Sequence, residues 1–442
     1  MFINTAVTYS RYRLNNVSEN HRTRIFNNST LYEFNEMQNY SGIQDWSGKI
    51  AFDYIPSPNH YIRFGAGAVY HTFNPSVMVI RDTDEKRDYS ASKIYAWEYS
   101  AYAEDDIQLS KRLKTNIGLH LSKFAASSFE LQPRISARYL ITPQFSAKAS
   151  YSRMAQYLHL LTSTNVGIVL PVEHWLPSTE HLRPQTSHQT AIGFAHHFRD
   201  DYEISLEGYY KTMANVVEYM EGANLFNLDE AWEQKIVQGT GRSYGAELFV
   251  QKKTGSFTGW AGYTLAWTDR HFEELNGGKR FPYKYDRRHD ISIVWMKRFE
   301  YYNWRRYKDK IIELSGAWVF GSGNCVTIPV GVFYAKHPAL LSNNNYNWMR
   351  YFDYGERNGY RMKPYHRLDL SLSFVKKKKW GERRWIISVY NAYNRKNPWA
   401  IQVEEEVKED SNDPPSQIYT DFKFVQWTLF PFIPSVSYQF KF

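Results

Sequence analysis

A two-residue alternation of apolar and polar side chains, recurring from one end of the chain to the other, most narrows what this sequence can fold into. Phe145, Ala147, Ala149 and Tyr151 alternate with Ser146, Lys148, Ser150 and Ser152, and Leu368, Leu370, Leu372 and Phe374 with Arg367, Asp369, Ser371 and Ser373. Ile117, Leu119 and Leu121 sit among Asn116, Gly118, His120 and Ser122. Ile204 and Leu206 sit among Glu203, Ser205 and Glu207, and Ala261, Tyr263, Leu265 and Trp267 form a further stripe. The last eight residues close on the same rhythm, Val436, Tyr438, Phe440 and Phe442 against Ser435, Ser437, Gln439 and Lys441. Successive side chains of a strand point to opposite faces, so each segment has one apolar and one polar face. A helical chain would show a period near 3.6, so the reading is all-β.

The connections add an asymmetry. Tight turns are expected near Ser57-Pro58-Asn59, Ser110-Lys111-Arg112, Thr142-Pro143-Gln144, Arg199-Asp200-Asp201, Lys253-Thr254-Gly255 and Lys379-Trp380-Gly381. Between them lie longer segments, near 74–89, 159–184, 222–237, 272–285, 323–363 and 404–418. Short turns at one end and long loops at the other match the periplasmic turns and extracellular loops of a transmembrane barrel. A β-sandwich connects at both ends without such alternation. Counting hairpins gives about sixteen strands, even in number as bacterial outer-membrane barrels require. A closing strand that ends on an aromatic residue, here Phe442, is how such barrels finish.

Composition agrees. No run approaches the roughly 18 apolar residues of a membrane helix, and mean hydropathy is −0.58. Yet 17% of the 442 residues are aromatic, with 35 Tyr and 14 Trp, the residues that gather where membrane meets water. Tyr54, Trp97, Tyr99, Tyr139, Tyr157, Tyr210, Trp267 and Trp295 are candidates for two interfacial girdles, with cross-strand packing as the alternative. No linker divides the chain, so residues 1–442 read as one domain. The net charge of +9 comes from basic residues scattered through strands, which excludes a nucleic-acid surface; the run Lys376 to Lys379 is read as a solvated turn. Cys325 is alone, so neither a disulfide framework nor a thiolate metal site is expected. Met1-Phe2-Ile3-Asn4 leads straight into an alternating segment without a signal sequence, so an exported form is expected to carry its signal ahead of Met1.

Three stretches resemble the C-terminal part of the barrel of TonB-dependent outer-membrane receptors. They are 239–248 (GTGRSYGAEL) with 259–267 (GWAGYTLAW); 280–290 (RFPYKYDRRHD), similar to the family's aspartate–arginine–histidine motif leading into a strand; and 389–394 (VYNAYN) with Asn397-Pro398-Trp399 and the closing 430–442 (FPFIPSVSYQFKF). The resemblance implies a transmembrane antiparallel up-and-down barrel of 22 strands around an N-terminal plug. About sixteen strands are present here, so the plug and some strands are expected to be missing, and the chain reads as a truncated receptor. It implies energised uptake of a scarce nutrient such as an oligosaccharide, siderophore or cobalamin across the outer membrane of a Gram-negative bacterium, without catalysis, cofactor or metal. Implied partners are outer-membrane lipid, the missing plug and strands, the TonB energy-transducing complex and a surface lipoprotein. A passive porin-like or enzymatic barrel, and a soluble surface adhesin of stacked sheets, are the alternatives.

His196 and His197 are adjacent, so in a strand they face opposite ways. Tyr285, Asp286, Arg287 and His289 carry the family motif; His289 lies near Asp286 and Asp290, but Arg287 and Arg288 favour a polar network over a metal. Ser152, Ser187 and Ser205 fall in the polar phase and offer no nucleophile elbow. Gly65 with Gly67 and Gly239 with Gly241 lack the helix and lysine of a phosphate loop, so close strand packing explains them better. Arg63, Arg138, Lys148, Glu203, Glu207, Arg367 and Asp369 are the charged lining expected of a wet interior. His174, Trp175, Trp232, Tyr346, Trp348, Arg350 and Tyr351, all in long loops, are candidates for stacking on or binding a ligand, with mutual packing as their alternative. The acidic stretch 404–413 reads as a loop tip.

Overall fold

The computed structural model describes residues 1–26, 29–82, 86–90, 92–125, 127–162, 173–199, 201–222, 232–301, 310–336, 348–378, 380–409 and 418–442. Sixteen long strands make up one sheet among these residues. They are β1 (Phe2–Phe26), β2 (Ser29–Ser57), β3 (His60–Asp82), β4 (Ile94–Gln108), β5 (Leu113–Phe124), β6 (Glu130–Leu140), β7 (Phe145–Gln156) and β8 (Gln185–Phe198). There follow β9 (Tyr202–Tyr219), β10 (Ile236–Lys252), β11 (Phe257–His271), β12 (His289–Tyr301), β13 (Lys310–Gly321), β14 (Tyr365–Lys378), β15 (Gly381–Tyr390) and β16 (Ile433–Lys441). Each pairs antiparallel with the next in chain order, which is the up-and-down topology expected. Among the described residues no ladder joins β1 to β16, so these two strands are the edges of the sheet.

Register keeps the two phases apart from strand to strand. Leu206 lies opposite Phe194 and Leu248, and all three are exposed; so are Leu119, Ile135, Ile192, Ile387, Val436 and Tyr438. On the other face Ser122, Gln132, Ser146, Glu313 and Ser373 are buried. Crowded polar side chains and open apolar ones identify the polar face as the concave one. Buried polar groups need partners, and here they find them: Gln132 Nε2 donates to Ser122 Oγ at 2.8 Å, and Ser122 Oγ bonds the Tyr157 hydroxyl at 2.8 Å. The stripes therefore do not face a protein core, as a stacked-sheet adhesin requires. Tyr54, Trp97, Tyr99, Tyr139 and Tyr210 stand exposed on the outer face. Tyr157 does not. It follows the end of β7, turns inward and stacks on Phe124 at 5.3 Å. Trp295 on β12 lies over Gly316 on β13, where a Cβ would come within 2.7 Å of its ring.

The clusters of buried apolar side chains are at the long-loop end. Phe73, Ala96, Phe124 and Tyr157 form one cluster, Val216, Val237, Phe272, Leu275 and Phe281 a second, and Leu161, Leu176, Leu182, Val217 and Tyr219 a third. Gly239 makes room in the second, since a Cβ there would meet the Phe272 ring at 2.5 Å.

The strands run from 9 to 29 residues, most within the roughly 10 to 20 that the alternation indicates, and β1, β2 and β3 extend beyond it. Much of 74–89 is strand, in β3 and in Lys86–Ser90 paired to it. The stretch 404–409, read as a loop tip, belongs to a hairpin of Pro398–Glu409 with Ile418–Thr428, and 410–413 lie outside the described residues. Lys376 to Lys378 close β14, and Lys379 lies outside the described residues. A ladder needs only backbone groups, so a strand projecting into water on both faces shows no alternation and reads as loop. The connection lengths also depart from strict alternation: only residues 27–28 join β1 to β2 and 125–129 join β5 to β6 at the long-loop end, while 302–309 join β12 to β13 at the other.

Candidate functional site

Two buried carboxylates organise the rim at the long-loop end. Asp286, 2% exposed, accepts from the Thr268 backbone N–H at 2.7 Å and pairs with Arg288 at 3.2 Å and with Arg361. Arg361 also donates to the backbone oxygens of Asp286 and, at 3.0 Å, of Gly323. The Arg288 guanidinium lies over the Trp267 ring at 4.5 Å. The motif at 285–289 thus fastens the 322–364 connection to the connection before β12. Arg287 pairs with Asp290 at 3.6 Å, His289 Nδ1 bonds the Tyr263 hydroxyl at 2.9 Å, and Tyr285 is exposed. These residues form a polar network; no group of three or more metal-ligating side chains is found among the described residues.

The second carboxylate is Glu218 at the end of β9, gripped by Arg270 at 2.7 Å and by Arg357 at 3.1 Å. Arg270 lies over Tyr283 at 3.7 Å, and the Arg357 backbone N–H donates to Asn276 Oδ1 at 2.9 Å. Two arginines four residues apart in one connection therefore dock it onto β9 and onto the connection before β12. The Cys325 thiol is buried beside the Asp286–Arg361 clasp, and burial raises its pKa above the ordinary thiol value.

Below the rim, ion pairs cover much of the concave wall. Arg63 pairs with Glu104 at 2.9 Å and Lys253 with Glu203 at 2.6 Å; Arg242 and Asp269, 2.8 Å apart, are in phase with the exposed Leu248 and pair on the outer face. Glu313 on β13 sits between Arg298 and Arg384, each at 2.8 Å, and Arg367 pairs with Asp369 at 2.9 Å while donating to the hydroxyls of Tyr365 and Tyr390. His71 is buried between Asp45, at 2.8 Å from Nδ1, and Glu98, at 3.4 Å from Nε2. A groove of about 520 Å³ runs down the wall past Lys49, Arg63, Tyr102, Glu104, His120 and Arg134. The wall is wet, charged and held in fixed register, which suits binding and passage of polar solutes.

Of the loop residues singled out from sequence, Trp175 and Trp232 lie at one apolar cluster and Tyr351 lies in a separate hairpin. Trp175 packs edge-on against Tyr12 at 6.3 Å, beside the cluster containing Leu176, and Trp232 packs against that same cluster. Tyr351 stacks on Phe333 at 5.6 Å in the separate hairpin Pro329–Lys336 with Trp348–Tyr354. In backbone register His174 opposes Leu161, Trp348 opposes Lys336 and Arg350 opposes Tyr334, their side chains lying outside the described structure; Tyr346 lies outside the described residues altogether. Sequence reasoning passed over Glu218, Arg270, Arg357, Glu313 and His71, whose partners are on other strands. It also passed over His159, in the hairpin Leu158–Thr162 with Glu173–Pro177, whose Nε2 is 3.0 Å from Ser178 Oγ. Burial pushes the His159 pKa down from 6.5 to about 4. The unfolded imidazole takes its proton near pH 6.5 and the folded one only near 4, so between these values unfolding binds a proton. Stability of this hairpin is expected to be full above pH 6.5 and to fall by about 1.4 kcal/mol per pH unit below it. Protection factors at 158–162, corrected for the intrinsic exchange rate at each pH, that fall toward pH 4 in the native chain and stay flat in His159→Gln are the expected result.

A family model described as the TonB-dependent receptor-like β-barrel matches residues 2–394. The chain belongs to this TonB-dependent receptor β-barrel family. Among solved structures, the ferric preacinetobactin receptor BauA of Acinetobacter baumannii is 10% identical, with a TM-score of 0.54, over 100% of this chain and 60% of that one. The ferric yersiniabactin uptake receptor FyuA of Yersinia pestis is 12% identical, with a TM-score of 0.52, over 93% and 57%. The FrpB iron transporter of Neisseria meningitidis (F3-3 variant) is 12% identical, with a TM-score of 0.51, over 83% and 55%. At these identities the likeness is one of fold, and the chain spans between half and three-fifths of the length of such structures. No match was found among the curated proteins.

The remaining stretches that resemble this receptor family are structural. In VYNAYN, Asn391 and Asn394 take left-handed backbone (φ 54° and 52°), which Asn tolerates better than most residues. Asn391 is fully buried and bonds Arg395 through both its side-chain oxygen and nitrogen, at 3.0 and 2.9 Å; Asn394 Oδ1 accepts from Phe432 N–H at 3.0 Å. Asn397 likewise bonds both backbone groups of His366 at 3.0 Å. These asparagines lock the tops of β14 and β15 to the chain leading into β16.

Proposed function

We propose that this receptor barrel serves energised uptake of a scarce nutrient across the outer membrane of a Gram-negative bacterium, residues 1–442 acting as one barrel-wall domain. The observation that carries this is the sixteen-strand antiparallel wall with its apolar face exposed and its polar face concave. In lipid, exposed apolar stripes are the stable arrangement, and every backbone group of a spanning strand needs a ladder partner. Further strands between β1 and β16 would supply those partners, and a plug inside would close the passage. In this reading the rim and its clasped loops capture the ligand, the wall guides it, and the TonB complex displaces the plug. A transducing complex can shift the plugged state only through contacts that differ between the two states. The solved relatives named above are receptors or transporters of iron or its chelates, so an iron chelate is the first cargo to test, ahead of an oligosaccharide or cobalamin. The loop residues His174, Trp175, Trp232, Tyr346, Trp348, Arg350 and Tyr351 remain the proposed ligand contacts, with a surface lipoprotein as a proposed accessory.

The test is in the producing cell. The chain is expected in the outer-membrane fraction, and disrupting its gene is expected to remove growth on one limiting nutrient in a TonB-dependent way. Recovery with soluble proteins, or unchanged growth on iron chelates, oligosaccharides and cobalamin alike, would overturn the reading.

A further inference from the structure

We propose that the wall formed by β5, β6 and β7 carries a subsite for a compact oxyanion bearing two or three negative charges. Lys114 lies directly opposite Arg138, and Arg138 directly opposite Lys148, all on the polar face near the short-turn end. With strands roughly 4.8 Å apart, three cations fall within about 10 Å of wall. Like charges directly opposite in a ladder repel. Some of the wall's other cations are neutralised within the chain, as Arg63 is by Glu104 and Lys253 by Glu203. No ion pair within 4 Å joins Lys114, Arg138 or Lys148 to a carboxylate among the described residues, although Lys148 lies close enough to Glu203 to act on its charge, so much of their repulsion is left for a ligand to relieve.

The ground beside them suits an oxyanion. One step toward the loops, Asn116 opposes Ser136 and Ser136 opposes Ser150, a row of amide and hydroxyl groups parallel to the cations. Beyond β7 the wall falls away to Ala191 and Gly193, opposite Ser150 and Lys148. Together these residues line a groove of about 410 Å³, within the range of small-molecule sites. Carboxylates bound it: Asp106, which accepts from Asn116 Nδ2 at 3.1 Å, and Glu207, opposite Gly193. They exclude a long polyanion and leave room for a compact one such as a tricarboxylate or a diphosphate. The same chemistry is available from a free small anion or from clustered acidic side chains of a polypeptide in the lumen. The subsite rests on the wall and its register and not on the uptake reading, so failure of the growth test leaves it standing.

The native chain, folded in detergent, is titrated with citrate and with pyrophosphate at low and high salt. One saturable site is expected, weakened severalfold by each of Lys114→Gln, Arg138→Gln and Lys148→Gln, at least tenfold by the three together, and unchanged by Lys111→Gln in the adjoining turn. Without anion, Arg138→Gln is expected to raise the melting temperature, because it relieves repulsion from both neighbours, and citrate is expected to stabilise the native chain but not this variant. Citrate or pyrophosphate outcompeting triglutamate assigns the site to free anions; triglutamate outcompeting them assigns it to acidic side chains. Equal affinity in the triple variant, no saturable binding by the folded chain, or a lower melting temperature for Arg138→Gln without anion overturns the proposal.

Discussion

Asp286→Ala is expected to cost about 3–5 kcal/mol, because removing one partner of a buried ion pair strands the others. Arg361 and Arg288 would both lose their carboxylate, and the Thr268 N–H its acceptor. The damage should be local. The connection 322–364 would lose its fastening near Arg361 and become a protease target, while the strands below keep their ladders. Asp286→Asn retains an acceptor for Thr268 and should fall between. Pairing Asp286→Ala with Arg361→Gln should recover part of the loss, since the second change removes one stranded charge; a double-mutant cycle in denaturant measures that coupling. A single variant within about 0.5 kcal/mol of the native chain, with an unchanged digestion pattern, would show that the clasp does not hold the rim.

Leu206→Arg and Ser205→Arg should differ sharply although the residues are neighbours. Leu206 stands on the exposed apolar face between Phe194 and Leu248, and Ser205 points into the polar concavity. An arginine on a lipid-facing position near mid-membrane costs roughly 2–4 kcal/mol, whereas one on the lumen side stays in water. Folding yield into phospholipid vesicles should therefore drop steeply for Leu206→Arg and stay near native for Ser205→Arg. Equal yields would mean that the apolar stripes do not meet hydrocarbon.

The architecture was largely readable in the primary sequence and the clasps were not. Alternation is a local property, so Leu206 against Ser205, or Phe145 against Ser146, reports its face without any knowledge of partners. Strand number and pairing order followed, because an up-and-down sheet pairs each strand with its chain neighbour. Extended hairpins such as Pro398–Glu409 with Ile418–Thr428 escaped notice, since a ladder wetted on both faces leaves no two-residue signature. Tyr157 was misplaced because its phase was extrapolated one residue past the end of β7. The motif at 285–289 was recognisable as a pattern, but its purpose depended on Arg361, 75 residues away. Glu218 and Arg357 are 139 residues apart, and neither stretch announces a buried ion pair.

Sequence by itself determined that this protein is a succession of two-faced strands, that one face is apolar and the other polar, and that the strands meet in order. These are consequences of side-chain period and turn chemistry, which act over a few residues. Only the tertiary structure decided which face is concave, which carboxylates are buried, and which cations remain without one. Those depend on curvature and cross-strand register, which bring Lys114, Arg138 and Lys148 side by side from three strands and carry Arg357 and Arg361 back to the rim.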